Sequence, residues 1–353
     1  MRLLLTADTV GGVWTYALEL ADALAEHDVE VTLAATGAPL TPDQRSALRS
    51  SRVARAFAAD YALEWMEDPW RDLERAGHWL LEIAAEVGPD VVQLNAYAHA
   101  ALPWDAPVVV VGHSDVLSWH EAVRGRPAGA QWDRYHDVVR EGLAAADLLV
   151  APTRWMLDEL VRLYNPPCPR CVIPNGSSRT VPARPKERLV LSAGRVWDEA
   201  KNVNALVRAA PSVPWPIAIA GSGPVGAGVR ALGPLGREAM DEALAAAAIY
   251  AAPARYEPFG LAALEAARAG CALVLGDIAS LREVWDDAAL YVAPADDDAL
   301  ARTLRTLADD AALLADFAAR AQSRARRYSA HGMAEAYMNA YRRVRDEQVV
   351  VAG

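Results

Sequence analysis

Tyr256-Glu257-Pro258-Phe259-Gly260-Leu261-Ala262-Ala263-Leu264-Glu265 stands just after the apolar run Ile249 to Ala252 and opens an Ala-rich helical pattern. Pro258 disfavours helical geometry at Glu257, so this acid belongs to the turn and the helix starts near Phe259 or Gly260. Strand, turn and helix in that order make a βα unit. Glu265 then lies about one and a half turns inside the helix. The free amides of Phe259, Gly260 and Leu261 face the space between the two acids, where they suit phosphate oxygens. One carboxylate then reaches one end of a ligand and the other carboxylate its other end. Glu265 is the only charge between Pro258 and Ala267, a setting in which a lone acid is usually paired with something polar.

Outward from this unit the same alternation of short apolar runs and longer amphipathic stretches fills the chain, which predicts α/β architecture with parallel sheets. Strands are expected at Leu189 to Ala193, Ile217 to Ala220, Ala272 to Leu275 and Leu290 to Val292. An earlier series falls at Arg2 to Thr6, Val29 to Ala35, Asp90 to Leu94, Val108 to Val111 and Leu148 to Ala151, with helices at Val13 to Glu26, Trp70 to Glu86 and Gln131 to Ala146. The Pro- and Gly-bearing stretch Ile173 to Glu187 separates the two series. The expected division is a Rossmann-like domain over 1–173, a linker over 174–188 and a second Rossmann-like domain over 189–330. A last helix over 331–353 has the option of packing back on the first lobe. Doubly wound lobes that face each other place a ligand in the cleft at their strand C-terminal ends.

At 353 residues the chain has room for about two domains of roughly 150 residues. With 53% hydrophobic and 23% charged residues it is neither disordered nor, given its short apolar runs, membrane-spanning. A net charge of −11 argues against a nucleic-acid surface, and no basic amphipathic helix calls for peripheral membrane contact. Three cysteines, and a start that lacks a charged-then-apolar leader, fit a cytoplasmic protein. Cys168 and Cys171 form a lone C-x-x-C without the further ligands of a zinc site. Of 35 basic residues only Lys186 and Lys201 are lysines, so each retained Lys hints at a specific role.

Four other constellations bear on chemistry. Gly11-Gly12 joins the first strand to the first helix, where glycine admits a phosphate to the helix amides or simply serves a tight turn. Gly194-Arg195 follows a strand, with Lys201 six residues on, and two such cations suit a diphosphate unless Arg195 merely pairs with Asp198 or Glu199. Gly221-Ser222-Gly223-Pro224-Val225-Gly226 fits the dinucleotide pattern formally, but Pro224 and the absence of a helix start at Gly226 favour a plain glycine turn. His113 ends the strand Val108 to Val111, placed either to meet a substrate hydroxyl or to serve structure. Trp65, Trp70, Trp79, Trp104, Trp119 and Trp132 read as core by default, with a pocket floor as the alternative for a few of them.

Taken in order, Gly11-Gly12, Gly112-His113, Ile173-Pro174-Asn175-Gly176, Gly194-Arg195 through Lys201, Gly221 to Pro224, and Glu257-x7-Glu265 with Pro-Phe-Gly-Leu resemble the retaining, metal-independent glycosyltransferases of family 4, which have the two-lobe GT-B fold. The resemblance implies a hexose moved from a UDP- or GDP-hexose to a hydroxyl acceptor such as a glycan, lipid-linked sugar or small metabolite. No cofactor or metal is implied. Glu257 would hold the donor sugar's hydroxyls and Glu265 the ribose. Arg195 and Lys201 would bind the diphosphate in place of a metal, the Gly12 amide would touch diphosphate or sugar, and His113 would lie near the reacting carbon. The chain departs from the family at Tyr16, where His is common, at Asn202, where Gly is common, and in Asp277 to Glu283, which lacks paired glycines. Pro224 to Tyr250 also looks short. The stretch Thr36 to Trp79, on the expected acceptor side, follows no motif. Two alternatives stand beside this reading: a sugar-nucleotide epimerase on the same lobes, and a two-lobed binding protein, a class usually exported.

Overall fold

A computed structural model describes residues 1–182 and 184–351, with side chains as far as Asp346. Ala183 of the expected linker and Ala352 and Gly353 of the expected last helix lie outside the described residues. The chain forms two compact units. The first comprises Met1–Glu121, Arg126–Gly176 and the residues from Ala330 on; the second comprises Ser177–Ser329 together with Ala122–Gly125.

The first unit holds seven strands: β1 (Arg2–Asp8), β2 (Glu30–Thr36), β3 (Arg55–Ala59), β4 (Val91–Leu94), β5 (Val108–Val111), β6 (Leu148–Ala151) and β7 (Arg170–Val172). They pair in parallel in the order β3-β2-β1-β4-β5-β6-β7. The central strands are near-continuous Val, Leu and Ala because helices cover both faces, so every side chain is buried. Strand order reverses between β1 and β4, and the loops after those strands open at that switch point.

The helix Ala330–Val351 belongs to this unit and packs on the helix Gly12–Leu24. The contact is keyed by a buried polar knot. Tyr16 and Tyr337 hydroxyls lie 2.5 Å apart, Gln93 Nε2 donates to the Tyr16 hydroxyl at 3.0 Å, and the Tyr341 hydroxyl donates to Gln93 Oε1. Buried hydroxyls and amides that satisfy one another in this way fix a single register between the helices.

The second unit holds β8 (Glu187–Ala193), β9 (Ile217–Ala220), β10 (Arg230–Gly233), β11 (Ala247–Ala252), β12 (Ala272–Gly276) and β13 (Leu290–Val292). All pair in parallel in the order β10-β9-β8-β11-β12-β13, with the switch point between β8 and β11. The segment Pro224 to Tyr250, which looks short in sequence, accommodates edge strand β10 and the helix Arg237–Ala246. It does so because the helix runs into β11 with no loop between them.

Candidate functional site

In the second unit, the loops after β8 and β11 carry the expected donor residues. Gly194 begins the β8 loop at φ 158°, and the methylenes of Lys201 pack over it. The glycine turn after β9 lies against this loop: a Cβ on Gly221, at φ 147°, would stand 1.8 Å from the Gly194 carbonyl oxygen. No helix opens at Gly226. Gly221 and Gly223 of the apparent dinucleotide pattern therefore serve close packing of two loops, and Gly226 makes room for the Val207 side chain.

Lys201 ends a short turn of helix, and its Nζ donates to Glu257 Oε2 at 2.5 Å, with both side chains about a quarter exposed. Arg195 Nη2 pairs with Asp198 Oδ2 at 2.7 Å, the pairing weighed as the alternative for this arginine. Its guanidinium also lies over the ring of Trp197, a large hydrophobic residue that is 55% exposed. Arg195 Nε is buried without an acceptor among the described residues. Asn202, where the family commonly has Gly, holds the left-handed φ of 51° that Asn tolerates. Its amide donates to the carbonyls of Pro253 and Pro294 at 2.9 and 2.8 Å, so the substitution keeps the turn and adds two ties.

The helix after Glu257 starts later than the sequence predicts. It spans Leu261–Arg268, with Gly260 at φ 90° as its N-cap. The first helical amides are thus those of Leu261 to Ala263, while Phe259 and Gly260 stand in the loop. Gly260 can adopt this backbone angle because it has no Cβ, and the kink delays the first turn. The Phe259 side chain is buried edge-on against Tyr328, ring centres 5.4 Å apart, which leaves its backbone as the part available to a ligand. Ser280, in the segment without paired glycines, donates to the Glu257 carbonyl at 2.7 Å.

Glu265 does not stand alone in its apolar surroundings. Its Oε2 accepts from Arg179 Nη1 at 2.7 Å, and Arg179 Nε reaches Asp241 Oδ1 at 2.5 Å. Sequence reasoning missed Arg179, because its segment reads as a Pro-rich boundary. Tyr250, on β11, donates to the Ala193 carbonyl at 3.2 Å. Burial pushes its hydroxyl pKa up, and the charges of Glu257 and Glu265 push it further, so both acids act on one point at the end of β8.

In the first unit the glycine turn differs from expectation. Gly11, the N-cap of the helix Gly12–Leu24, is in extended conformation, and its amide donates to Asp8 Oδ1 at 3.0 Å, as does that of Val10 at 2.9 Å. The Gly11 amide is therefore turned to the protein's own carboxylate. Gly12 is the first residue of the helix proper, whose leading amides have no partner within the helix.

His113 lines a pocket confined to this unit, with Asp8, Glu64, Asn95, Asp115 and Tyr135. Its Nε2 lies 2.9 Å from Asn95 Oδ1, and Asn95 is oriented by donating Nδ2 to the Thr6 carbonyl at 2.5 Å. Tyr16 packs edge-on to the imidazole at 4.4 Å. Desolvation pushes the His113 pKa down to about 3, so the ring is neutral and donates from Nε2.

Glu64, unnoticed in the motif-free stretch, is buried and accepts from the amides of Tyr97 and Ala98, each at 2.9 Å. Burial lifts its pKa to about 7 despite those bonds, helped by the charges of Asp115 and Asp8. Asp115 accepts from the Ser118 amide at 2.7 Å and the Tyr164 hydroxyl at 2.5 Å, and burial raises its pKa too. Trp65 also lines this pocket, whereas Trp70, Trp79, Trp104 and Trp132 pack against the hydrophobic core.

Cys168, Cys171 and Cys271 are free thiols. Lys186 is held by the Leu244 carbonyl at 2.9 Å, a structural role. Among the described residues, no group of three or more His, Cys, Asp or Glu is placed to hold a metal ion, and no helix is long and apolar enough to cross a membrane.

Each of the two doubly wound parallel sheets gathers polar loops at its switch point, and comparison with known proteins bears on what they serve. Residues 10–178 match the model of Glycosyltransferase Family 4, and residues 187–310 match that of Glycosyl transferases group 1. The chain is 28% identical to a glycogen synthase of Mycobacterium tuberculosis, with 86% of this chain and 84% of that one covered. It is 28% identical over 207 residues to O-antigen chain mannosyltransferase B of Escherichia coli, and that match spans 49% of this chain and about half, 54%, of the relative. Among solved structures, sucrose-phosphate synthase from Thermosynechococcus elongatus superposes with a TM-score of 0.81 at 20% identity over 100% of both chains. Anabaena HepE, in complex with UDP-glucose, gives 0.74 at 16% identity over 96% and 99%. The fold is GT-B. The chain belongs to the group 1, family 4 type of glycosyltransferases.

Proposed function

We propose that this glycosyltransferase is a retaining, metal-independent enzyme that moves a hexose from a UDP- or GDP-hexose to a hydroxyl acceptor: a glycan, a lipid-linked sugar or a small metabolite. The observation that carries the reading is the Lys201–Glu257 ion pair at the switch point of the second sheet. A relative named as a mannosyltransferase and a neighbour in complex with UDP-glucose favour a hexose carried on a nucleoside diphosphate.

In this reading Lys201 and Arg195 bind the diphosphate and stabilise the charge that builds as the anomeric carbon–oxygen bond breaks. The two cations supply the charge a divalent ion would otherwise bring. Glu257 orders Lys201 and accepts from hydroxyls of the sugar. The amides of Phe259, Gly260 and Leu261 and the amide of Gly12 meet the phosphates or sugar, and Glu265 takes the ribose. Neutral His113 offers its second ring nitrogen to the region of the reacting carbon without adding positive charge. The acceptor uses the pocket beside His113. Its lining has carboxylates and neither Lys nor Arg, which suits an uncharged polyol better than a phosphorylated one. The pathway is cytoplasmic in this reading, and no nucleic acid takes part.

The test is calorimetric titration of UDP, GDP and ADP and their hexose derivatives with EDTA and with magnesium, followed by turnover. Binding indifferent to EDTA and a glycoside product support the reading. Formation of an epimerised nucleotide sugar without acceptor, or binding with no turnover at all, favours the alternatives. Lys201→Ala is expected to lower turnover by about 10²- to 10³-fold, the worth of one donor to a developing oxyanion. Wild-type turnover in that variant sinks the role assigned to Lys201.

A further inference from the structure

We propose that Arg179 is a positioning residue for the donor site: its guanidinium fixes the direction in which Glu265 presents its carboxylate to the ribose hydroxyls. Arg179 is 9% exposed. Each arm of its fork has its own acceptor: Nε on Asp241 Oδ1 at 2.5 Å, Nη1 on Glu265 Oε2 at 2.7 Å, and Nη2 on the Arg237 carbonyl at 3.1 Å. The backbone is pinned as well. Arg179 N donates to Ser177 Oγ at 3.1 Å, and Arg268 Nε donates to the Arg179 carbonyl at 2.8 Å. Arg268 ends the helix that carries Glu265, so that helix holds Arg179 at two points, the guanidinium through Glu265 and the backbone carbonyl through Arg268.

A planar fork with every arm engaged cannot rotate, and a carboxylate held by one of its arms is fixed with it. The Glu265 side chain keeps 13% of its surface, so it is not sealed off from a ligand. A lysine has a single charged point on a flexible stem and spans only one of these partners well.

The inference rests on the reading of Glu265 as the ribose ligand, and the experiment separates the two. The quantity measured is the affinity of the full chain for whichever of UDP, GDP and ADP binds best, divided by its affinity for the 2′,3′-dideoxy form of that nucleotide. Wild type should favour the ribonucleotide by about tenfold or more, the worth of a hydrogen bond to a charged group. Glu265→Gln should bring the ratio towards one, and Arg179→Lys should bring it most of the way. A ratio that collapses in Glu265→Gln but stays at the wild-type value in Arg179→Lys overturns the positioning role and leaves the ribose contact standing. A ratio unmoved by Glu265→Gln, or a chain that binds none of the nucleotides, overturns the ribose reading and the inference with it. Should Arg179→Lys fail to fold, Asp241→Asn removes the anchor of the Nε arm alone. It should lower the ratio by about threefold, and an unchanged ratio there counts against the proposal. A purely structural arginine would lower thermal stability in these variants without touching the ratio.

Discussion

Glu64 and His113 share one pocket and pull against each other as pH changes. Glu64 titrates near 7 in the folded chain and near 4.5 when unfolded, so its burial costs stability above pH 7 and nothing below about 4.5. His113 titrates near 3 folded and near 6.5 unfolded, so its contribution is present above pH 6.5 and lost on acidification towards 3. Between pH 7 and 5 the two slopes have opposite sign, each up to about 1.4 kcal/mol per pH unit. Denaturant titrations at several pH values should therefore show Glu64→Gln losing stability on acidification more steeply than wild type. His113→Gln should show the reverse tilt, and parallel curves for all three proteins would refute the assignment. Neither residue's environment is legible from sequence. His113 is visible as a histidine at a strand end, but the Asn95 contact that orients it comes from the loop after β4, 18 positions away. Glu64 lies in a stretch without a motif, and its burial depends on amides more than 30 positions on.

Among the elements, the buried strands and the edge strand β13 were readable, and the other three edge strands were not. β4, β5 and β6 are mostly Val and Leu, with Gln93 and Ala151 the exceptions, and their ends coincide with the apolar runs to within a residue. β3, β7 and β10 sit at sheet edges, where one side lacks a neighbour, and their short sequences mix Arg and Gly with Ala, Phe, Cys, Val and Leu. Edge strands are commonly kept short and charged to discourage pairing with other chains, and that device also hides them from a hydrophobic pattern. The loop from Gly194 to Asn202 was legible as a cationic turn, yet its shape depends on Gly221 from another loop and on the left-handed Asn202. Asn202→Gly should cost about 1 to 3 kcal/mol by removing both carbonyl ties. Asn202→Ala should cost about 1 to 2 kcal/mol more, because alanine resists that backbone angle. Urea denaturation of the three proteins checks the order, and equal stability for Gly and Ala would show that the angle is not enforced.

At the scale of the whole molecule, the first unit is built from two distant stretches of chain, and the helix Ala330–Val351 completes it. Tyr337→Phe should cost about 1 kcal/mol through the lost hydroxyl contact with Tyr16. A fragment of residues 177–329, which holds all six strands of the second sheet, should unfold cooperatively by itself. A fragment of residues 1–176 should gain cooperative unfolding only when a peptide of residues 330–351 is supplied. Circular dichroism melts of the two fragments decide the matter, and a cooperative melt of 1–176 alone would contradict the keyed role of the helix. The polar knot around Gln93 also bears on birth of the protein at the ribosome. The strands that surround Gln93 are translated early, and so is Tyr16, but Tyr337 and Tyr341 emerge only after the whole second unit has been made. Folding of this chain is therefore not strictly N-terminal first: the later-made unit can settle while the earlier one waits, and a nascent chain stalled before residue 330 is left with an unfinished surface for quality control to find.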